Sequence, residues 1–110
     1  LPDRVTHEEF KRMDIRVVKV LKAERIQGRT KILRAVIDIG NNELREVVVG
    51  GAEYYEPEYF VGKKMIAIVN LEEKVIAGVK SQAMLLAADD KGRPVWLIPA
   101  QDVPIGSRVI

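Results

Sequence analysis

Cysteine is absent from this 110-residue chain, which excludes disulfides and thiolate metal sites. Histidine occurs once, as His7. A Ser-His-Asp triad would have to use it, and no motif around Ser81 supports one. A solvated helix residue is the better reading of His7. Gly50-Gly51 runs into Ala52-Glu53-Tyr54 rather than into Lys-Ser or Lys-Thr, so there is no phosphate-cradling P-loop. Glu72-Glu73 and Asp89-Asp90 fall where turns are expected and read as solvated carboxylates, not as a hard-cation site. No enzyme activity, metal or cofactor is therefore expected. No apolar run approaches the ~20 residues that span a bilayer. No signal sequence is expected from Leu1-Pro2-Asp3-Arg4, which carries no apolar h-region. A cytoplasmic protein without a membrane partner is expected.

Charge of one sign is also lacking. The net charge is +2, with 31% charged residues, a balance that a globular domain without any ligand would share. The apolar share of 47% is enough for a core and excludes disorder. The length fits one domain over 1–110. A first residue of Leu rather than Met is the expected mark of an excised domain or a processed chain.

Thr6-His7-Glu8-Glu9 has the capping-box form, with Val5 and Phe10 at the hydrophobic-staple positions. A short helix from His7 to Met13 is predicted. Ile15–Leu21 is rich in β-branched residues and reads as a strand. Gln27-Gly28-Arg29-Thr30 reads as a loop. In Leu33–Ile39, residues 33, 35, 37 and 39 share an apolar face, the period-2 signature of a half-exposed strand. Gly40-Asn41-Asn42 supplies a hairpin turn into Leu44–Val49, which Gly50-Gly51 stops. Tyr54–Gly62 reads as one or two helical turns with Pro57 at the first position. Lys64–Leu71 is a strand, apolar on both faces over Met65–Val69. A further strand is predicted through Ile76–Ala88, then a turn at Asp89–Gly92 and a strand at Val95–Ile98. Ser107–Ile110 is expected to add a closing edge. Short strands with a small helix between the third and fourth fit a closed Greek-key barrel of the oligonucleotide/oligosaccharide-binding (OB) type, or else a β-sandwich.

Lys80-Ser81-Gln82 breaks an apolar run, Ile76 to Ala88. Three polar groups in a row are costly inside a strand unless each finds a partner. The triplet is expected at a rim, offering donors to a partner. Lys31, Arg34, Arg45, Lys74 and Lys80 are the cations at candidate outward positions. Lys31 and Arg34 open the second strand and Arg45 lies on its hairpin partner, so one cross-strand patch is expected. Such a patch can track phosphates without reading bases. Only six aromatics are present: Phe10, Tyr54, Tyr55, Tyr59, Phe60 and Trp96. None lies in the first four predicted strands. A generic single-strand binder stacks bases on ring faces; this sheet has none, and packing beside helices accounts for the rings more simply.

Four segments together resemble a tRNA-binding domain family: Phe10–Val17, Tyr54-Tyr55-Glu56-Pro57-Glu58 with Val61–Lys64, Val69-Asn70-Leu71 with Lys74, and Gly78–Ser81 with Met84–Ala88. The likeness covers nearly the whole chain in order and spacing. The family includes the C-terminal domain of methionyl-tRNA synthetase, free-standing structure-specific tRNA-binding proteins, the endothelial monocyte-activating polypeptide II domain and an export-related chaperone branch. Tyr54–Glu58 looks closer to the synthetase and free-standing branches. The resemblance implies an all-β, five-stranded OB barrel with a short N-terminal helix and a C-terminal extension. It implies binding of tRNA by shape, a homodimer built outside the barrel, and association with the catalytic part of methionyl-tRNA synthetase. The chaperone branch implies a peptide-binding module as the alternative. By position, the implied RNA contacts are Lys31, Arg34, Arg45, Asn70, Lys74, Lys80, Ser81, Gln82 and Met84. Ser81 and Gln82 would donate to phosphate or ribose oxygens. Met84 would touch a base or sugar, or else be core, and Asn70 could instead satisfy backbone at a strand end. Three positions depart from the family pattern: Val18 and Ala83 stand where Gly is usual, and Gln27–Thr30 replaces a His-Pro loop.

Overall fold

The computed structural model describes residues 3–110. Helix α1 (His7–Lys11) is two residues shorter than its sequence pattern suggests. Its capping box forms in full: Thr6 Oγ1 accepts from Glu9 N–H, and the Glu9 carboxylate accepts from Thr6 N–H. Val5 stays 70% exposed, so the staple seals little surface.

Strand β1 (Ile15–Arg25) runs four residues past its expected end. A bulge between Val20 and Lys22 turns it, so one strand serves two neighbours. Its first half pairs with β4 (Lys64–Ile68) and its second half with β2 (Ile32–Asp38). β2 pairs in turn with β3 (Leu44–Gly50) across the Asn41-Asn42 turn, where both asparagines take positive φ as a tight hairpin requires. Leu33, Ala35, Ile37 and Ile39 are buried, as their alternation dictates. Helix α2 (Pro57–Phe60) begins on Pro57 and drives Phe60 into the core.

The expected strand through Ile76–Ala88 is instead three short pieces and the start of a fourth. These are β5 (Lys74–Ile76), β6 (Val79–Ser81), β7 (Met84–Leu85) and β8 (Ala87–Asp90). Ala77-Gly78, both at positive φ, fold β5 and β6 into a hairpin. β8 pairs with β9 (Arg93–Trp96), so the last full strand lies earlier than the predicted Val95–Ile98. β4 also stops at Ile68 rather than Leu71; it is apolar on both faces over Met65–Ile68, with Met65 and Ala67 buried in the barrel and Ile66 and Ile68 partly buried outside it. The closing edge at Ser107–Ile110 reduces to a bridge between Arg16 and Arg108.

The main sheet has the order β3-β2-β1-β4-β7 and is antiparallel throughout. It curls until β3 meets the β6–β7 segment, giving a small, nearly closed OB-like barrel rather than a sandwich. Val18, Val20, Leu33, Ile37, Val47, Phe60 and Met65 fill it. Val18 is fully buried, so the β-branched side chain that replaces the family glycine contributes to the core. The β8–β9 hairpin packs outside, where Phe60 and Trp96 meet edge-on and the Tyr55 hydroxyl donates to the Pro94 carbonyl. Gly51 permits this packing: it sits at positive φ, and a Cβ there would lie 2.6 Å from Pro94 Cγ.

Candidate nucleic-acid interface

The Lys80-Ser81-Gln82 triplet lies at the seam where the barrel closes. An edge strand such as β3 leaves alternate backbone groups without ladder partners. Here they are met from the facing chain. Gln82 N–H donates to the Glu46 carbonyl at 2.8 Å. Glu46 N–H donates to Gln82 Oε1, and Val48 N–H to Ser81 Oγ, at 3.1 and 3.0 Å. The Ser81 hydroxyl donates onward to the Ala83 carbonyl. Ser81 is buried and its hydroxyl is spent inside the barrel, so it positions the seam rather than offering a donor outward. Ala83 is buried and is not among the residues at positive φ, so the seam needs no left-handed glycine there.

Several expected contact residues are likewise engaged within the chain. Arg34 faces outward between two carboxylates, Glu46 at 2.6 Å and Glu24 at 2.7 Å. Glu46 first, and then Glu24, hold its pKa above the ordinary value. Arg45 pairs in register with buried Ile37, not with Arg34, so it sits on the opposite face of the sheet at the barrel rim. It donates to the carbonyls of Val69 and Gln82 and forms an ion pair with Glu43. The expected Arg34–Arg45 patch therefore does not form. Asn70 fastens α1 to the barrel: its amide donates to the Arg12 carbonyl and its carbonyl accepts from Asp14 N–H.

Other members of the set remain open to solvent. Lys31 and Lys74 are exposed and make no ion pair among the described residues. Met84 is 46% exposed and is not core. Among the described residues Lys80 reaches only Glu73, at 3.1 Å. Register places Lys31 and the β5–β6 hairpin toward one end and Met84 toward the other, since Met84 pairs with Ile68 and Ile68 with Ile15 at the start of β1. Ile32 lies opposite Gly50, so the β1–β2 loop sits at the end of the barrel where β3 finishes. β6 runs antiparallel to β3, with Gln82 beside Glu46 and Ser81 beside Val48, so the β5–β6 hairpin points toward that same end. The loop wraps a hollow of about 230 Å³ lined by Gly28, Arg29, Thr30 and Lys31. Arg29 was not among the expected contacts, although its place beside Lys31 in a basic loop was visible in sequence. The result is an open cationic end with no aromatic ring on the sheet, suited to an extended anionic backbone.

A second surface joins the two ends of the described chain. Val5, Phe10 and Met13 from around α1 meet Val109 and Ile110 over a hollow of about 500 Å³, with Lys11 and Arg108 at its margin.

Residues 15–108 match the family model described as "Putative tRNA binding domain". The methionine–tRNA ligase of Methanothrix thermoacetophila is 47% identical over 102 residues, which are 93% of this chain and 15% of that protein. The chain thus spans about 15% of the length of such relatives. Among solved structures, a MetRS-related protein from Pyrococcus horikoshii superposes with a TM-score of 0.89 at 39% identity, covering 99% of this chain and all of that one. The chaperone CsaA of Bacillus anthracis superposes with a TM-score of 0.86 at 28% identity, covering 98% of this chain and 100% of its own. The fold, the family match across nearly all described residues and the cationic barrel end agree: this chain belongs to the tRNA-binding domain family.

Proposed function

We propose that this chain binds folded tRNA by its phosphates, at the barrel end between the β1–β2 loop and the β5–β6 hairpin. Lys31, Lys74 and Lys80 are the electrostatic contacts, with the Gln82 amide beside Lys80 and Met84 farther along the barrel, opposite Ile68. Arg34, Arg45, Asn70 and Ser81 act behind that surface, holding its strands in position. The observation that carries this reading is the exposure of three ammonium groups, Lys31 on the β1–β2 loop and Lys74 and Lys80 on the β5–β6 hairpin, with Lys80 held by a single exposed carboxylate, on a barrel whose main sheet lacks stacking rings. Selectivity for tRNA then comes from shape, because phosphate contacts position an RNA without reading its bases.

The kinship with methionine–tRNA ligases supports a role beside their catalytic part, either within a longer chain or as a free-standing partner in the cytoplasm. The apolar hollow between α1 and the C-terminal segment supports a homodimer, the second copy covering Val5, Phe10 and Ile110. Neutralising roughly 3–5 phosphates gives a slope of log affinity on log salt of about −3 to −4.5. Filter binding of folded tRNA across a salt series tests this, and an affinity indifferent to salt overturns it. The likeness to CsaA supports peptide binding as the alternative. Peptide capture that added tRNA leaves unchanged would favour it.

A further inference from the structure

Glu73 places a carboxylate among the groups assigned to phosphate. It precedes β5, and its Oε2 lies 3.1 Å from the Lys80 ammonium across the hairpin. Both side chains are at least half exposed, at 50% and 60%. Gln82 spends its Oε1 on Glu46 N–H, which leaves its amide nitrogen without a barrel partner. Lys80 holds the Glu73 carboxyl below its ordinary pKa, and the Gln82 amide and the Arg45 charge act in the same direction. The carboxylate is thus set amid three donors or positive charges. A carboxylate and a phosphate present similar oxygens to such groups.

We infer that Glu73 is a built-in competitor for this site: in the free protein its carboxylate holds the position that an RNA phosphate takes on Lys80 and Gln82. The inference rests on the tRNA-binding reading and deepens it. Binding must release Glu73 from Lys80, and unbinding restores the pair. Glu73 therefore lowers affinity and keeps the complex exchangeable. Exposed ion pairs are weak, so the competition is worth about two- to fivefold in affinity.

The test is filter binding of folded tRNA to the intact chain and to Glu73→Gln, Glu72→Gln, Lys80→Gln and the Glu73→Gln/Lys80→Gln double variant. Glu73→Gln is expected to tighten binding about two- to fivefold and to steepen the salt slope by up to about 0.9. Glu72→Gln removes the same charge one residue away, where no ion pair is made among the described residues. It is expected to leave affinity nearly unchanged. The gain from Glu73→Gln is expected to vanish when Lys80 is already Gln. An equal gain in Glu72→Gln, a gain that survives in the double variant, or weaker binding by Glu73→Gln overturns the inference while tRNA binding stands. A wild-type chain that fails to retain tRNA overturns both.

Discussion

Arg34 and Lys74 carry the same formal charge, but only one is available to a ligand. Arg34 spends its guanidinium on Glu24 and Glu46, residues 10 and 12 positions away that register brings alongside it. Lys74 sits at the foot of the hairpin in solvent. Ser81 shows the same division among hydroxyls, since its oxygen closes the barrel. Ser81→Ala is expected to lower stability by about 1–3 kcal/mol, because Val48 N–H loses its partner. Lys74→Ala is expected to change stability by less than ~0.5 kcal/mol while weakening tRNA binding. Urea unfolding beside filter binding separates the two effects. This division was not legible in the sequence. Alternation showed that Arg34 points outward, but not which carboxylates meet it. Asn70 likewise serves Arg12 and Asp14, more than fifty positions away, which no local pattern reveals.

Elements read well where periodicity was strong and poorly where turns decided. The β2–β3 hairpin was visible from its alternation and its Asn41-Asn42 turn. The β5–β6 hairpin was not, because Ala77 takes a φ of 51°, a conformation that alanine rarely adopts and that gives no turn signal. Without that turn, Ile76–Ala88 looks like one strand. The C-terminal segment was too short and irregular to show periodicity: three backbone hydrogen bonds join Gly106, Ser107 and Val109 to Ile15 and Val17 of β1, and Asp14 adds an ionic tie. The Asp14 carboxylate accepts from Arg16 Nε and Nη2 at 2.9 and 2.8 Å and pairs with Arg108 at 3.3 Å. The Arg16 hydrogen bond, and then the charges of Arg16 and Arg108, hold its pKa below the ordinary 3.8 against the opposing effect of burial. A carboxyl depressed in the folded state stabilises fully above its unfolded pKa and loses that contribution as pH falls through the lower folded value. Stability is expected to drop as pH is lowered from about 4, and Asp14→Asn to flatten that limb. Thermal melts of both proteins between neutral and acid pH check the sign.

At the scale of the whole molecule, one barrel presents two surfaces of opposite character. On the proposed reading the cationic surface takes the tRNA and the apolar hollow between α1 and Val109-Ile110 takes a second copy. Pairing two copies would double the phosphate contacts, and linked contacts raise affinity without any new chemistry. Phe10→Glu introduces a charge into the hollow but leaves the barrel core untouched, so it is expected to yield a folded monomer with weaker tRNA binding. Sedimentation equilibrium reads the change in mass. Barrel and family were legible in sequence because core alternation and the matched segments span nearly the whole chain. The seam was not, since it joins Glu46 and Val48 to Ser81 and Gln82 through side chains. A ring-free cationic barrel surface is proposed to hold tRNA by its folded shape. Filter binding of folded and heat-denatured tRNA at one salt concentration tests it most directly. Clear preference for the folded form is expected; equal retention of the two would show that folded shape is not what the barrel recognises.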